Sequence, residues 1–557
     1  MMRRFKILAV LLVFSLCLCG FMTGCNGADS GNNTETDSVT GIKLKYNDNE
    51  IGDSLSVDLS DGPLAFTADV QVKGNASKDF TLTSSATDIA TVSDKNVALV
   101  AVGQTTITAT ATGNPAKTHA ITLNVIIEEP ATPGMTKPYN ITNNFDQDSS
   151  SDFLVQWHND VSISKQKLQI VPETEGFGNT KQVMVRMVKK FESTGLVGNF
   201  PARNVFKAYV TGLSPNTRYK YRMGDNGAWS DTFYHLTSSG NADDFSFTVF
   251  SDPQSEAHTD MANALRAADA FDPDSKFYLM GGDLVDEIAM RPAEIISYTT
   301  TANEFNKYKP IAATQGNHDT YYDGSLNGTS NQYRFGEATV FNKFVTFPDN
   351  GWDTDPKKAD RGQSYYFYYN KVFIIMLNTM ATANSAGTSS PNYTKQVEWL
   401  KSILEKDRAQ GLSRYTIIFT HISPFYGRSS NNSYSTSVFS SHGKVFTDYG
   451  VDIVFAGHDH VYGRSNPIKI GANTALSEIN FEPTPGGTIF SIVGATGPKF
   501  YTLDSSNDMV PKFYPKRTDD QSPGVYLNVK VTAEKLTVTA MRVDGKEIDK
   551  YEVEAKK

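Results

Sequence analysis

The chain has 557 residues, of which 39% are hydrophobic and 20% charged, and its formal net charge at pH 7 is −9. This length exceeds what one hydrophobic core supports, so the sequence predicts about three domains of ordinary globular composition. The acidic balance excludes nucleic acid as a natural partner, because no basic surplus exists to neutralise phosphates.

The first 25 residues have the features of an export signal. Three basic residues precede an apolar stretch at residues 7–18, which is too short to span a membrane. The segment ends Met-Thr-Gly-Cys at residues 22–25, which resembles a bacterial lipoprotein cleavage box with Met where Leu is commoner. We therefore predict a signal peptide over residues 1–24 and a lipid-bearing Cys25 that anchors the protein to the cell-surface membrane. Cleavage by an ordinary signal peptidase, which would give a secreted protein, is the alternative.

A flexible tether and a first β-rich domain are predicted next. Residues 25–40 are small and polar, with almost nothing to bury. Over residues 41–128, short runs alternate between apolar and polar residues, which predicts a β-sandwich. These runs lie at residues 66–72, 80–83, 89–92 and 105–111. Residues 102–110 resemble the closing strand of a bacterial immunoglobulin-like domain. The resemblance implies a spacer, with a glycan-binding or adhesive role as the alternative.

A second β-rich domain is predicted over residues 135–238, after a linker that contains Pro and Gly at residues 129–134. Residues 212–221 resemble the turn and strand of the fibronectin type III-like domain at the N-terminus of purple acid phosphatases. Tyr219 and Tyr221 alternate there with basic residues. We therefore expect both tyrosines to pack inward.

The pattern changes over residues 243–557, where apolar runs alternate with amphipathic stretches and predict an α/β domain. Strands are predicted at residues 245–250, 277–280, 311–314, 372–377, 415–419, 453–455 and 488–493, and helices at residues 261–267 and 397–404. Three further alternating runs predict the completion of a second sheet. They lie at residues 525–531, 535–541 and 547–553.

Five short polar blocks follow apolar runs of this domain. They are Ser251-Asp252-Pro253-Gln254, Gly282-Asp283-Leu284-Val285-Asp286, Gly316-Asn317-His318-Asp319, Thr420-His421 and Gly457-His458-Asp459-His460. Each block alone is typical of a turn, a helix cap or a buried histidine. Together they supply the oxygen and imidazole ligands that a pair of cations needs. Their order resembles the signature of the calcineurin-like metallophosphoesterases, and the preceding domain narrows the resemblance to the purple acid phosphatase-like branch.

The resemblance implies an α-β-β-α sandwich with two metal ions beyond the strand ends. The ions would be iron, manganese or zinc, and a hydroxide between them would attack phosphorus. Asp283 would bridge both ions. The implied ligands are Asp252, Gln254, Asp283, Asn317, His421, His458 and His460.

Four further residues have predicted roles in catalysis or substrate binding. His318 is expected to stabilise the leaving oxygen as a proton or hydrogen-bond donor. Asp319 is expected to orient the ring of His318. Arg428 and Arg464 are candidates for gripping a substrate phosphate, and the alternative is that both are solvated loop residues.

The sequence departs from the family pattern at two positions. Gln254 stands where the broad family often has histidine, and its amide oxygen could still bind a metal. This harder ligand favours manganese or iron over zinc at the first metal. Asp286 stands where purple acid phosphatases have a tyrosinate ligand. It could be a ligand itself, or a helix cap or supporting acid.

The predicted function is extracytoplasmic hydrolysis of phosphate monoesters, with a small phosphorylated substrate. A phosphodiesterase or a nucleotide pyrophosphatase is the alternative among enzymes, because these share the metal core. The groups that discriminate between them would lie in loops such as residues 320–334 and 425–442. A surface adhesin with a vestigial phosphatase domain is the alternative from another class. The presence of the core ligands argues against it.

Overall fold

The computed structural model describes residues 37–555 apart from short gaps. The gaps are residues 47–48, 60–62, 102, 127–135, 181–182, 184, 192–201, 226, 289–290, 321–338, 353–363, 381–392, 429–432, 472–475 and 505–508. The predicted signal peptide, Cys25 and most of the tether lie outside the described residues, as does nearly all of the loop 320–334. Within the described part of the chain, no helix combines the length and the apolar character needed to cross a membrane.

The first unit consists of two sheets that enclose an apolar core. Its strands are β1 (Ser38–Tyr46), β2 (Asn49–Glu50), β3 (Ser54–Asp58), β4 (Leu64–Lys73), β5 (Phe80–Ser84), β6 (Ala90–Ser93), β7 (Asn96–Leu99), β8 (Gly103–Ala111) and β9 (Thr118–Ile126). One sheet has the order β2-β1-β4-β7-β6 and the other β3-β9-β8-β5. Leu44 of the first sheet and Leu123 of the second both belong to this core. The expectation that residues 102–110 close the domain is wrong, because β9 follows β8 and pairs along its length.

The second unit is a smaller sandwich. Its strands are β10 (Tyr139–Phe145), β11 (Phe153–Asp160), β12 (Lys167–Pro172), β13 (Val185–Phe191), β14 (Arg203–Val210), β15 (Arg218–Gly224) and β16 (Phe233–Leu236). They form the sheets β10-β11-β14-β13 and β12-β15-β16. Tyr219 and Tyr221 of β15 are buried while Arg218 is exposed. The predicted inward packing of the tyrosines is therefore confirmed.

The third unit holds two larger sheets and seven α-helices among the residues described. The strands are β17 (Phe245–Phe250), β18 (Tyr278–Met280), β19 (Ile311–Ala313), β20 (Tyr365–Tyr369), β21 (Val372–Leu377), β22 (Tyr415–Thr420), β23 (Ile453–Ala456), β24 (Tyr462–Arg464), β25 (Ile489–Ile492), β26 (Lys516–Thr518), β27 (Val525–Val531), β28 (Lys535–Arg542) and β29 (Glu547–Glu554). The helices are α1 (Thr259–Phe271), α2 (Pro292–Asn306), α3 (Thr339–Phe344), α4 (Thr394–Gln410), α5 (Ser433–Val438), α6 (Lys444–Asp448) and α7 (Val510–Phe513).

The two sheets of this unit pack face to face. Their orders are β19-β18-β17-β27-β28-β29 and β20-β21-β22-β23-β25-β24-β26. Along β21 the side chains alternate, because Ile374 faces the other sheet whereas Phe373 joins the apolar layer beneath α4 that includes Leu400. Helices α1 and α2 pack against the six-stranded sheet. Two β-sandwiches followed by a two-sheet α/β domain confirm the predicted fold class.

Polar contacts join the second unit to the third. Gln156 and His158 of β11 both reach the carbonyl oxygen of Lys343, at 2.7 and 2.6 Å. The amide nitrogen of Asn144 donates to the Tyr365 hydroxyl at 3.1 Å, and that hydroxyl donates to the carbonyl of Ala313 at 2.9 Å. Ala313 ends β19, three residues before the block that begins at Gly316. The second unit therefore supports one strand end that carries site residues.

Acid should destabilise the protein through buried neutral histidines such as His235. Burial lowers the pKa of His235 to about 3, and its Nε2 atom has no hydrogen-bond partner. Since the pKa in the unfolded chain is about 6.5, stability falls as the pH drops below that value. His235→Phe keeps an aromatic ring against Phe153, whose centroid lies 4.1 Å away. When the pH falls from 7 to 5, the unfolding free energy of this variant should decrease by about 1–2 kcal/mol less than that of the parent protein. Urea denaturation at both pH values measures this difference. An identical pH dependence in both proteins would contradict this.

Candidate metal centre

The polar blocks converge because all five follow the carboxyl ends of parallel strands. Neighbouring β17, β18 and β19 lead to Asp252, Asp283 and Asn317, respectively, in one sheet. Neighbouring β22 and β23 of the other sheet lead to His421 and to the turn that carries His458 and His460. Parallel strands end at a common sheet edge, and the two facing sheets bring their edges together.

The convergence produces two groups of potential metal ligands that share Asp283. Ligand atoms of Asp283, His421 and His458 all lie within 4.8 Å of one another, and so do those of Asp252, Asp283 and His460. Nε2 of His421 lies 3.3 Å from Oδ1 of Asp283. Nε2 of His460 lies 3.4 Å from Oδ1 of Asp252. One carboxylate between two such groups is the arrangement that a pair of adjacent cations requires.

Backbone carbonyls fix the orientation of two imidazole rings. Nδ1 of His421 donates to the carbonyl of Gly281 at 2.8 Å, and Nδ1 of His460 donates to that of Lys499 at 2.5 Å. Nε2 of each ring therefore faces the carboxylates. The amide oxygen of Asn317 lies 2.8 Å from Nδ1 of His458 and 3.1 Å from Nε2 of His421. It is placed to join the second group.

Gln254 presents a buried oxygen that lacks a hydrogen-bond partner. Its amide nitrogen donates to Oδ1 of Asp286 at 2.6 Å, which fixes the orientation of the amide. Its Oε1 atom is buried without a hydrogen-bond partner. A buried orphan acceptor is costly unless something binds it. Together with the carboxylates and imidazoles, this oxygen makes the donor set fit a pair of iron, manganese or zinc ions.

The electrostatics of the cluster favour bound cations. Burial opposes the charged form of Asp283 and by itself would raise the pKa of this carboxyl. The electrostatic attraction of His421 outweighs burial, so the pKa of Asp283 lies below its usual value. Burial likewise opposes protonation of His421, yet Asp283 and Asp252 raise its pKa to about 9. The buried carboxylates thus hold their negative charge and attract a proton to the ring that faces them. A metal cation would satisfy the same charge without that proton.

Backbone strain is concentrated in the same residues. Asp252, Asp283, His458 and His460 have φ angles of 50°, 49°, 71° and 45°. The left-handed region costs non-glycine residues about 1–3 kcal/mol each and persists only where the surrounding structure enforces it. Four such residues among the potential ligands indicate that the fold gives up stability to aim these side chains.

Comparisons with known proteins agree with this geometry. Residues 245–462 match the calcineurin-like phosphoesterase family. The matched segment contains all five polar blocks and is a calcineurin-like phosphoesterase domain. Residues 138–237 match the purple acid phosphatase N-terminal domain, and residues 39–121 match the bacterial Ig-like domain of group 2.

Two relatives with similar sequences each cover nearly two thirds of this chain. An uncharacterized protein of Mycobacterium tuberculosis strain H37Rv is 22% identical over an alignment of 383 residues, and the match covers 63% of this chain and 68% of that protein. The Fe(3+)-Zn(2+) purple acid phosphatase 12 of Arabidopsis thaliana is 23% identical over 356 residues, which cover 62% of this chain and 68% of that protein.

Solved structures share the fold of this phosphoesterase. The purple acid phosphatase of yellow lupin (Lupinus luteus) seeds has a TM-score of 0.57 at 14% identity, and the match covers 93% of this chain and 96% of that one. The structure of PhoD has a TM-score of 0.51 at 12% identity and covers 75% and 94%. The family and the fold together make this chain a phosphoric ester hydrolase.

His318 lies beside the metal-ligand cluster of the phosphoesterase, but its ring is held by the backbone of Asp286 and not by Asp319. Its Nδ1 atom donates to the carbonyl of Asp286 at 2.6 Å, and its Nε2 atom lies 3.8 Å from Oδ2 of Asp283. The carboxylate of Asp319 instead accepts the backbone N–H groups of Leu284 and Gly316, both at 2.9 Å. The expectation that Asp319 orients the ring of His318 is therefore corrected, because Asp319 ties two ligand-bearing loops together.

The two candidate arginines of the phosphoesterase differ. Arg464 donates to the carboxylate of Asp549 at 2.6 Å and lies over the Tyr551 ring, so it serves the fold at β29 rather than gripping phosphate. Arg428 is exposed and lies 4.2 Å from the centroid of the Tyr501 ring, which packs against His460. Of the two, Arg428 is placed near the cluster.

A sixth loop at the site, residues 494–501, was not expected from the sequence. The backbone N–H of Gly497 donates to the carbonyl of Asp252 at 3.0 Å, and that of Tyr501 to the carbonyl of His460 at 3.2 Å. The ammonium of Lys499 lies 3.9 Å from Oδ1 of Asp286. The loop follows the strand predicted at residues 488–493, just as the five recognised blocks follow strands. It contains Gly494, Gly497 and Pro498, which are typical of turns. Turn residues directly after a predicted strand were therefore the signal that could have identified this loop as part of the site.

Gly316→Ala should distort the cluster of the phosphoesterase. A Cβ atom at Gly316 would lie 2.0 Å from Oδ1 of Asp283, so the shared carboxylate would have to move. We expect a loss of metal content together with about 10²-fold or more of the phosphatase rate. Gly178→Ala is a control, because a Cβ atom at Gly178 meets nothing within 4 Å and the backbone φ angle of Gly178 is not positive. Full metal content and full rate in Gly316→Ala would show that the carboxylate does not need its observed position.

Proposed function

We propose that this chain hydrolyses phosphate monoesters outside the cytoplasm with a pair of metal ions. The observation that carries the proposal is the pair of buried ligand groups that share Asp283 at the strand ends of a phosphoesterase fold. A single metal site would leave half of these inward-facing donors unused. A vestigial domain would have no reason to keep four of them in a strained backbone conformation.

Each metal has a proposed set of ligands. The first would be held by Asp252, Gln254, Asp283 and His460. The second would be held by Asp283 together with the set Asn317, His421 and His458. When bound, two such ions supply activation of water and neutralisation of phosphate charge.

His318 has a proposed role at the leaving group. Hydrolysis adds the oxygen of water to phosphorus and breaks the bond from phosphorus to the ester oxygen, which must then gain a proton. Because Nδ1 of His318 is held by the Asp286 carbonyl, Nε2 is the nitrogen that can supply the proton or a hydrogen bond to that oxygen. Its ring keeps some exposure to solvent, which leaves room for a substrate.

The location outside the cytoplasm rests on the N-terminal sequence and on the first domain. The basic and apolar segment before Cys25 fits an export signal, and the bacterial Ig-like match fits a cell-surface protein. We propose that Cys25 carries the lipid anchor. Cys25→Ser should move the enzyme from the membrane fraction to the medium or leave an uncleaved precursor. Unmodified Cys25 in the parent protein, found by mass analysis, would replace anchoring with simple secretion.

The activity is tested with the full chain purified without chelators. Its rates are measured with alkyl and aryl phosphate monoesters, with bis(p-nitrophenyl) phosphate and with nucleotides. We expect the highest kcat/KM among the monoesters. A preference for the diester would establish the phosphodiesterase alternative, and no turnover of any phosphate compound by the metal-loaded protein would overturn the proposal.

A further inference from the structure

The turn after β18, residues 281–287, is held at its start by two side chains. The backbone N–H of Leu284 donates to the carboxylate of Asp319 at 2.9 Å. The carbonyl of Leu284 accepts the Nε2 proton of His258 at 2.7 Å. Because Leu284 directly follows Asp283, these two contacts fix the backbone beside the carboxylate that both ligand groups share.

The end of the same turn is held by one buried carboxylate, that of Glu294. Glu294 is the third residue of α2 and is only 2% exposed. Its Oε2 atom accepts the backbone N–H groups of Asp286 and Glu287 at 2.9 and 3.0 Å, and its Oε1 atom accepts Nη1 of Arg291 at 3.1 Å. Hydrogen bonds to a carboxylate are stronger than those between neutral groups, and the first turn of a helix favours its negative charge. Glu294 therefore fixes the backbone at Asp286.

Asp286 in turn orients two side chains of the candidate site. Its backbone carbonyl accepts the Nδ1 proton of His318 at 2.6 Å, and its Oδ1 atom accepts the amide nitrogen of Gln254 at 2.6 Å. The second contact sets the direction of the Gln254 amide, whose buried Oε1 atom has no hydrogen-bond partner. The proposed proton donor and one proposed ligand of the first metal ion thus depend on the position of one residue.

We propose that Glu294 is a positioning residue that acts through Asp286 on both His318 and Gln254. This rests on the proposed function, because it concerns the proton donor and the first metal ion of that reaction. Without the Glu294 carboxylate, the two backbone N–H groups lose their acceptor and the end of the turn can shift. The His318 ring and the Gln254 amide then lose their fixed orientation. Asp283 keeps its position, because the start of the turn has its own attachments.

The kinetic test compares Glu294→Ala with the parent chain at saturating metal, using glycerol 2-phosphate and p-nitrophenyl phosphate as substrates. We expect kcat for the alkyl ester to fall about 10–10²-fold, since its leaving group needs the proton from a correctly placed His318. The kcat for p-nitrophenyl phosphate should change by less than about threefold. An equal loss for both substrates would show that Glu294 does not act through the proton donor.

Two further substitutions separate this role from general support of the fold. Glu294→Gln keeps an oxygen acceptor for the two N–H groups and should restore kcat for the alkyl ester to within about threefold of the parent. Glu294→Asp keeps the charge but withdraws it by one methylene group, so it should show the same selective loss at a smaller size. Glu294→Asp also provides the test if the alanine variant does not fold, as judged by circular dichroism.

Glu304→Ala is the matched control on the same helix. The side chain of Glu304 is 59% exposed and pairs with Arg266 at 2.8 Å on the surface. Its removal should leave kcat for both substrates and the binding of both metal ions at the parental level.

Metal binding gives a measurement that is independent of turnover. Calorimetric titration of chelator-stripped protein with manganese should show two ions in the parent. In Glu294→Ala one ion should bind about tenfold more weakly and the other as in the parent, because only Gln254 loses its support. Parental affinity for both ions, or an equal loss for both, would overturn the proposal. If the parent binds two ions but hydrolyses nothing, the proposed function fails, and the titration alone then decides whether Glu294 supports Gln254.

Discussion

Replacing Asp283 by asparagine should lower the phosphatase rate by about 10³-fold or more and leave the protein with at most one bound metal ion. The carboxylate is 1% exposed and is the one residue common to both ligand groups. Asparagine keeps the size of the side chain but removes the charge that two adjacent cations share. Its amide nitrogen would also point toward rings or metal ions that need an electron-pair donor.

Asp274→Asn is the matched control for this substitution, because Asp274 is an exposed carboxylate between α1 and β18. Metal content is measured by elemental analysis of gel-filtered protein, and folding by circular dichroism. We expect the control to match the parent in metal content and rate. Two metal ions and parental turnover in folded Asp283→Asn would exclude a shared carboxylate.

Replacing His318 by alanine should have the second largest effect, and the effect should depend on the leaving group. Hydrolysis of alkyl phosphates should slow by about 10²–10⁴-fold, since an alkoxide leaving group needs a proton. Hydrolysis of p-nitrophenyl phosphate should slow far less, because nitrophenolate leaves without protonation. The measurement is kcat for a series of monoesters that differ in the pKa of the leaving group.

Metal content distinguishes this role from damage to the cluster. The His318 ring is held by the Asp286 carbonyl and lies outside both ligand groups, so His318→Ala should keep the parental metal content. A uniform loss across good and poor leaving groups would show that His318 stabilises charge or structure but does not protonate the leaving oxygen. Loss of metal would place His318 among the ligands.

The sequence was most informative where the chain alternates between buried strands and polar turns. Continuous apolar runs located β17 and β21, and an alternating run located β27, at their observed bounds. Strand β20, with the sequence Tyr-Tyr-Phe-Tyr-Tyr, was missed, although its aromatic composition and the following turn are typical of a hairpin. Helix α2 was missed because its apolar face is interrupted by buried polar residues such as Thr299, which hydrogen-bonds to Asn140 of the second unit.

The sequence predicted which residues form the candidate site, but it did not predict the hydrogen bonds that position them. That Asp252 and Asp283 would lie beside histidines followed from their place after strands and from the family resemblance, and the structure brings these residues together. That the histidines follow strands of the other sheet is a finding of the structure. The hydrogen bonds of Asp319 and the ring contact of His318 depend on backbone atoms, which residue types do not specify. The same limit concealed Lys499, whose link to the site is its carbonyl.

The most direct test of the account is the number of metal ions that the chain needs for turnover. The protein is stripped with a chelator and then titrated with manganese, iron or zinc, while bound metal and hydrolysis of p-nitrophenyl phosphate are measured in the same samples. We expect no turnover without metal and a rate that becomes maximal when two ions are bound per chain. Full turnover by metal-free protein, or a maximal rate with a single bound ion, would contradict it.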